Sequence, residues 1–162
     1  MSGAVLSDHV REEIDHWCSK FPPDQRRSAV LGALHAVQHE NQGYLTPELM
    51  DAVAEYLGLR PIEVYEVGTF YSMLETKPVG RHCVAVCTNI SCMLRGADEL
   101  LAHIEGRLGI RTGQSTPDGR IYLKPEEECL AACSFAPVIQ IDHVYHENLT
   151  PEQADRLLDD LE

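Results

Sequence analysis

Two cysteine pairs are the residues of this sequence best placed to do chemistry: Cys87-Thr-Asn-Ile-Ser-Cys92 and Cys129-Leu-Ala-Ala-Cys133. Each pair brackets a short loop, and a loop can fold two sulfurs back onto one centre. Four thiolates suit a [2Fe–2S] or [4Fe–4S] cluster, and they equally suit a structural zinc. Spacing alone leaves zinc open, because the x₄ interval lies within the range of zinc hooks. The loop residues tilt the balance toward iron–sulfur. Thr88, Asn89, Ser91, Ala131 and Ala132 are small or hydrogen-bonding and let backbone N–H groups approach the sulfurs of an anionic cluster. Neither loop carries a paired histidine, which disfavours a Rieske centre, and the x₃ interval differs from the C-x-x-C of a redox dithiol.

The remaining candidates weigh less. Cys83 stands four residues before Cys87, but on one strand their Cα atoms would be about 13 Å apart. It reads as a core thiol, as does Cys18 on the apolar face of the first helix. His35 and His39 share a helix face and read as surface histidines, while His143 and His146 flank a short strand and point to opposite faces. Tyr65, Phe70 and Tyr71 read as core or interface aromatics. Arg95 is placed either to offset negative charge at the second cysteine or simply on the surface. There is no G-x-G-x-x-G and no P-loop, so no nucleotide is expected on this chain.

Composition narrows the classes further. With 162 residues the chain can bury one core or two small ones. Thirteen basic residues against 26 acidic ones leave a net charge of −13, which argues against nucleic acid. No apolar run approaches the roughly 20 residues of a membrane helix. The first residues resemble neither a secretory signal nor a transit peptide. A cytoplasmic location follows as the expectation, and there six cysteines point to metal or redox chemistry rather than disulfides.

The elements that must position the cysteines divide at Lys77-Pro78-Val79-Gly80, a turn-like break. Before it, residues 1–77 read as a helical bundle domain of four helices. The first covers Ser7–Phe21; the second is capped by Asp24 and ends before Asn41-Gln42-Gly43. The third opens at Thr46-Pro47-Glu48 and the fourth at Pro61. After the break, residues 78–162 read as strand His82–Cys87, helix Leu94–Leu108, strand Arg120–Lys124, strand Val138–Ile141, a turn at Asp142-His143, strand Val144–His146 and a helix opened by the capping box Thr150-Pro-Glu-Gln153. The whole is of the α+β class, with an α/β layer carrying the cysteines.

The run Cys83-Val-Ala-Val-Cys87-Thr-Asn-Ile-Ser-Cys92-Met-Leu-Arg-Gly96, with Glu128-Cys129-Leu-Ala-Ala-Cys133-Ser-Phe-Ala-Pro137, resembles the E-subunit family of bacterial NADH:quinone oxidoreductase (respiratory complex I). Glu63-Val-Tyr-Glu-Val-Gly-Thr-Phe-Tyr71 is similar to the same family, so the likeness spans nearly the whole chain. It implies a thioredoxin-like ferredoxin domain behind the helices and one [2Fe–2S] cluster held by Cys87, Cys92, Cys129 and Cys133. It also implies a partner subunit binding FMN and NADH, whose flavin would exchange one electron with this chain, and a peripheral place on the inner membrane through that complex. An equivalent subunit of an NAD-dependent hydrogenase or formate dehydrogenase fits the same residues. A zinc-stapled interaction module without a redox role is the reading of a different class. Gly68 departs from the family's more usual alanine, and the likeness raises the prospect of a cis bond before Pro137.

Overall fold

The computed structural model describes residues 5–125 and 129–162. It combines α-helices with one five-stranded sheet and divides into two compact units, the first running through Pro78 and the second from Val79 to Glu162.

Caps and apolar spacing explain the helices of the first unit. Helix α1 (Asp8–Ser19) starts where Ser7 Oγ accepts the Val10 N–H at 3.1 Å, and it buries Val10 and Ile14. Trp17 is 37% exposed; its ring lies over Gly32, where a Cβ would come within 2.4 Å of it. The second helix begins later than its sequence suggests. Residues Pro23–Ala29 form 3₁₀ turns broken at Gln25 (φ −113°, ψ 32°), and α2 covers Val30–Glu40. The Asp24 carboxylate accepts from the Gln25 side chain and caps no helix.

Helix α3 (Pro47–Leu57) has Thr46 as its cap and ends at Gly58, whose φ of +71° suits glycine. Helix α4 (Pro61–Phe70) follows. Gly68 belongs to packing: a Cβ there would meet Met50 Sδ at 2.8 Å. Leu34, Leu45, Val53 and Val64 fill the core of this unit. Phe70 is not in it, being 78% exposed, and Tyr71 stacks edge-on against it.

In the second unit the sheet order is β2-β3-β1-β4-β5. Strand β1 (His82–Val86) is central, parallel to β3 (Ile121–Leu123) and antiparallel to β4 (Ile139–Ile141). A parallel neighbour needs a crossover, and the chain between β1 and β3 contains helices α5 (Ile90–Met93) and α6 (Ala97–Leu108). The sequence pattern starts the second of these at Leu94, three residues before α6 begins, and does not show α5. Gly96, at φ +90°, separates them, and Leu94, expected on an apolar helix face, ends α5 at 75% exposure.

The two-residue edge strand β2 (Gln114–Ser115) carries too little pattern to be read from sequence. Asp142 and His143, at φ +48° and +70°, form the tight turn from β4 into β5 (Val144–His146). Helix α7 (Pro151–Asp159) has the expected capping box between Thr150 and Gln153. Val84, Val86, Ile121 and Leu123 share one core with Leu100 and Ile104 of α6 and Leu158 of α7. One face of the sheet is thereby covered by helices, as a half-buried sheet requires.

Candidate metal centre

The central strand delivers the first sulfur. Cys87 extends β1 by one bridge, its N–H donating to Val138 O at 3.1 Å, and its side chain is buried. The chain then turns through Thr88 and Asn89 into the single turn α5, which carries Cys92, also buried. Cys129 lies in the loop after β3, and Cys133 opens a 3₁₀ turn over Cys133–Phe135; both are exposed. Cys87 and Cys92 pack with Ala97, Leu130, Ala136 and Val138 into a small apolar cluster, which ties the two loops together. The bond between Ala136 and Pro137 is cis.

Sulfur geometry follows from these placements. Cys129 Sγ and Cys133 Sγ are 3.7 Å apart. A tetrahedral metal with metal–sulfur bonds of about 2.3 Å has an S···S edge of about 3.8 Å. Cys87 and Cys92 act on one another's ionisation as the other pair, and Cys129 acts on Cys87 as well. Among the described residues, no three His, Cys, Asp or Glu side chains converge on a single ion-sized point.

Backbone N–H groups surround the sulfurs. Ala131 N–H donates to Cys129 Sγ at 3.3 Å, Leu130 and Asn89 donate to Cys87, and Val138 donates to Cys92. Burial pushes the Cys87 thiol up, but those two N–H groups together with the Cys92 and Cys129 thiols outweigh it and hold Cys87 below the ordinary range. Cys92 is pushed up to about 11, by burial first and by Cys87 second. The Ala131 N–H pulls Cys129 down, yet the Cys133 thiol and desolvation together leave it raised. These neighbouring thiols do not ionise independently, so a bound cation would have to drive protons off them.

Residues 14–162 match the thioredoxin-like [2Fe-2S] ferredoxin family. The chain belongs to that family. Its relatives include the NADH-quinone oxidoreductase E-subunit 2 of Rhizobium meliloti (strain 1021), 44% identical over 150 residues, which are 93% of this chain and 87% of that protein. The NADH-quinone oxidoreductase E-subunit of Rickettsia bellii (strain RML369-C) is 42% identical over 88% of this chain and 84% of its own. The mitochondrial NADH dehydrogenase [ubiquinone] flavoprotein 2 of Dictyostelium discoideum is 37% identical over 92% of this chain and 60% of its own. A solved chain of an NAD+-reducing [NiFe]-hydrogenase in the air-oxidized state aligns with TM-score 0.66 at 21% identity, over 78% of this chain and 22% of that one. At that identity it shows a shared fold.

The residues present fit a thioredoxin-like ferredoxin's cluster. Two thiol pairs, one with a tetrahedral edge, meet the demand of two irons for two thiolates each, and the N–H groups stand where they stabilise charge on sulfur. Residue types suggested donors near the loops; which N–H reaches which sulfur emerges only from the fold. Cys83 lies in β1 outside the pairs, with its N–H donating to Asp142 Oδ1 at 2.8 Å. Cys18 packs against the core of the first unit. Arg95 and His39 are exposed, and His35 is half-buried. Glu128, which opens the second motif, lies outside the described residues.

Proposed function

We propose that this chain is the [2Fe–2S] electron-transfer subunit of an NADH:quinone oxidoreductase, with Cys87, Cys92, Cys129 and Cys133 as the cluster ligands. The observation that carries the assignment is the pairing of thiols, with Cys129 and Cys133 at 3.7 Å, in a chain of a [2Fe-2S] family. When bound, the cluster supplies one-electron chemistry.

The chain's own residues would do the rest. Burial of Cys87 and Cys92 keeps water from the inner pair, and the N–H groups of Asn89, Leu130, Ala131 and Val138 stabilise thiolate charge. Exposure of Cys129 and Cys133 leaves the outer pair accessible from the surface. The electron partner in this reading is the flavin of an FMN- and NADH-binding subunit. No helix of the described residues is long and apolar enough to cross a membrane, which agrees with a peripheral, cytoplasmic place on the inner membrane held through the complex. Residues 1–77 would form the helical bundle domain and 78–162 the cluster domain.

A second reading, the equivalent subunit of an NAD-dependent hydrogenase or formate dehydrogenase, is favoured by the fold likeness to the NAD+-reducing hydrogenase. The NADH-quinone oxidoreductase relatives, at 42% and 44% identity, favour the first. The test is anaerobic purification followed by iron, sulfide and zinc analysis and EPR of the reduced protein. Equal iron and acid-labile sulfide with a reduced-state EPR signal support the assignment, and a colourless zinc protein overturns it. Co-purification with a flavoprotein, and the identity of the other subunits retained with it, separates the two host complexes.

A further inference from the structure

Among the six cysteines, Cys129 and Cys133 alone are exposed, and their sulfurs lie 3.7 Å apart. Cys87 and Cys92 are each 2% exposed, and Cys18 and Cys83 are half-buried. The surface therefore offers a small reagent in solution one close pair of thiols. Their C-x₃-C interval differs from the C-x-x-C of a redox dithiol, but the fold makes up the difference. Ala131, at φ +58°, turns the loop back so that the two sulfurs meet. Closing that gap to an S–S bond requires each sulfur to move by about 1 Å. Because the loop already holds the two thiols together, the second attacks intramolecularly, with the advantage in rate that proximity gives.

We propose that, in the chain without its cluster, Cys129 and Cys133 are an oxidisable dithiol that a low-molecular-weight disulfide converts to a Cys129–Cys133 disulfide. One outer thiolate first attacks a sulfur of the small disulfide. A bond forms between protein and small molecule, the small molecule's own S–S bond breaks, and one small thiol leaves. The other outer thiolate then attacks the protein sulfur of that mixed disulfide. The Cys129–Cys133 bond forms and the second small thiol is released. Two protein thiols thus give up two electrons and two protons, and the small disulfide takes up both.

The consequence for the cluster rests on the assignment of the four cysteines as its ligands. Thiolates bind metal and disulfide sulfurs do not, so the disulfide withdraws two of the four ligands. The site is then closed to a cluster until a thiol reduces it. A bound cluster protects the outer pair in turn, since both thiolates are already engaged. The inner pair stays reduced because burial keeps a small disulfide away from Cys87 and Cys92.

The experiment incubates the full chain, stripped of metal by a chelator and fully reduced, with oxidised glutathione as wild type, Cys129→Ser and Cys83→Ser. Remaining thiols are alkylated and the chain is mapped by mass spectrometry. Wild type is expected to lose two thiols, to carry the Cys129–Cys133 bond and to retain no glutathione. Cys129→Ser is expected to keep glutathione on Cys133, because the thiol that would displace it is gone, and Cys83→Ser should match wild type. Retention of all six thiols in wild type, or a bond mapped to any other pair, overturns the proposal. So does a glutathione adduct that persists in wild type. The iron-loaded chain, treated alike, is expected to keep its visible absorbance and to form no disulfide. A Cys129–Cys133 bond formed there with the absorbance intact removes both residues from the ligand set, a result separate from oxidation of the metal-free chain, which the first arm decides.

Discussion

Cys129 Sγ and Cys133 Sγ stand 3.7 Å apart, and Ala131 between them holds a left-handed backbone at φ +58°. That conformation turns the loop tightly and coincides with the Ala131 N–H reaching Cys129 Sγ at 3.3 Å. The outer thiol pair thus comes together in a segment whose backbone is costly for any residue with a Cβ.

Ala131→Gly is expected to stabilise the metal-free chain by up to about 1 kcal/mol, because glycine adopts the left-handed region without the Cβ penalty. Urea unfolding of wild type and variant under reducing conditions measures this. An equal or lower midpoint for the variant would contradict strain at this position.

Serine at Cys87, Cys92, Cys129 or Cys133 is expected to lower cluster occupancy sharply, whereas serine at Cys18 or Cys83 should leave it near wild type. Iron per chain and visible absorbance after identical anaerobic reconstitution provide the readout. Loss of the cluster in Cys83→Ser with retention in Cys87→Ser would falsify the ligand set.

Two glycines that both face close neighbours should respond differently to alanine. At Gly80 a Cβ would sit 2.6 Å from the Ile121 carbonyl carbon, within the β3 backbone, and such a contact yields only if the strand moves. Gly80→Ala should cost about 3 kcal/mol. At Gly68 the obstacle is the sulfur end of Met50, a flexible side chain. Better helix propensity offsets the repacking there, so Gly68→Ala should change stability by less than about 1 kcal/mol. Chemical denaturation of both variants decides whether their order is as stated.

His82 gives the fold a pH dependence. Its Nδ1–H donates to Asp142 Oδ2 at 2.6 Å, and its Nε2–H donates to the Glu162 main-chain oxygen at 2.9 Å. Both nitrogens donate only in the protonated ring, and the Asp142 hydrogen bond is the main cause that raises the His82 pKa above 6.5. A raised folded-state pKa means this stabilisation is fully present below the unfolded value near 6.5. It is lost as pH rises through the higher folded value. The unfolding midpoint of wild type should therefore fall across that interval. The fall should be flattened in Asp142→Asn; an unchanged slope in that variant would count against the pair.

Much of this architecture was legible in residue order because its signals are local. Ser7, Thr46 and Thr150 cap the helices that follow them, Gly58 ends α3, and Asp142-His143 makes the turn between two short strands. Each is decided within a few residues by backbone and side-chain hydrogen bonding. Cys83 was separable from Cys87 for the same reason, since strand geometry is local. The second helix start differs because 3₁₀ turns over Pro23–Ala29 interrupt what the apolar spacing continues, and Leu94 is misplaced because it ends α5, and Gly96 in a left-handed conformation delays the start of α6 to Ala97.

The four cysteines and the small residues between them could be named from sequence alone, and the family likeness said which cofactor they suit. Only the tertiary structure decided how they pair and which N–H groups face them. It also showed that Cys87 and Cys92 are inner while Cys129 and Cys133 are outer. Those facts depend on β1, β3 and β4 lying side by side, and residues some forty positions apart along the chain meet only when that sheet forms.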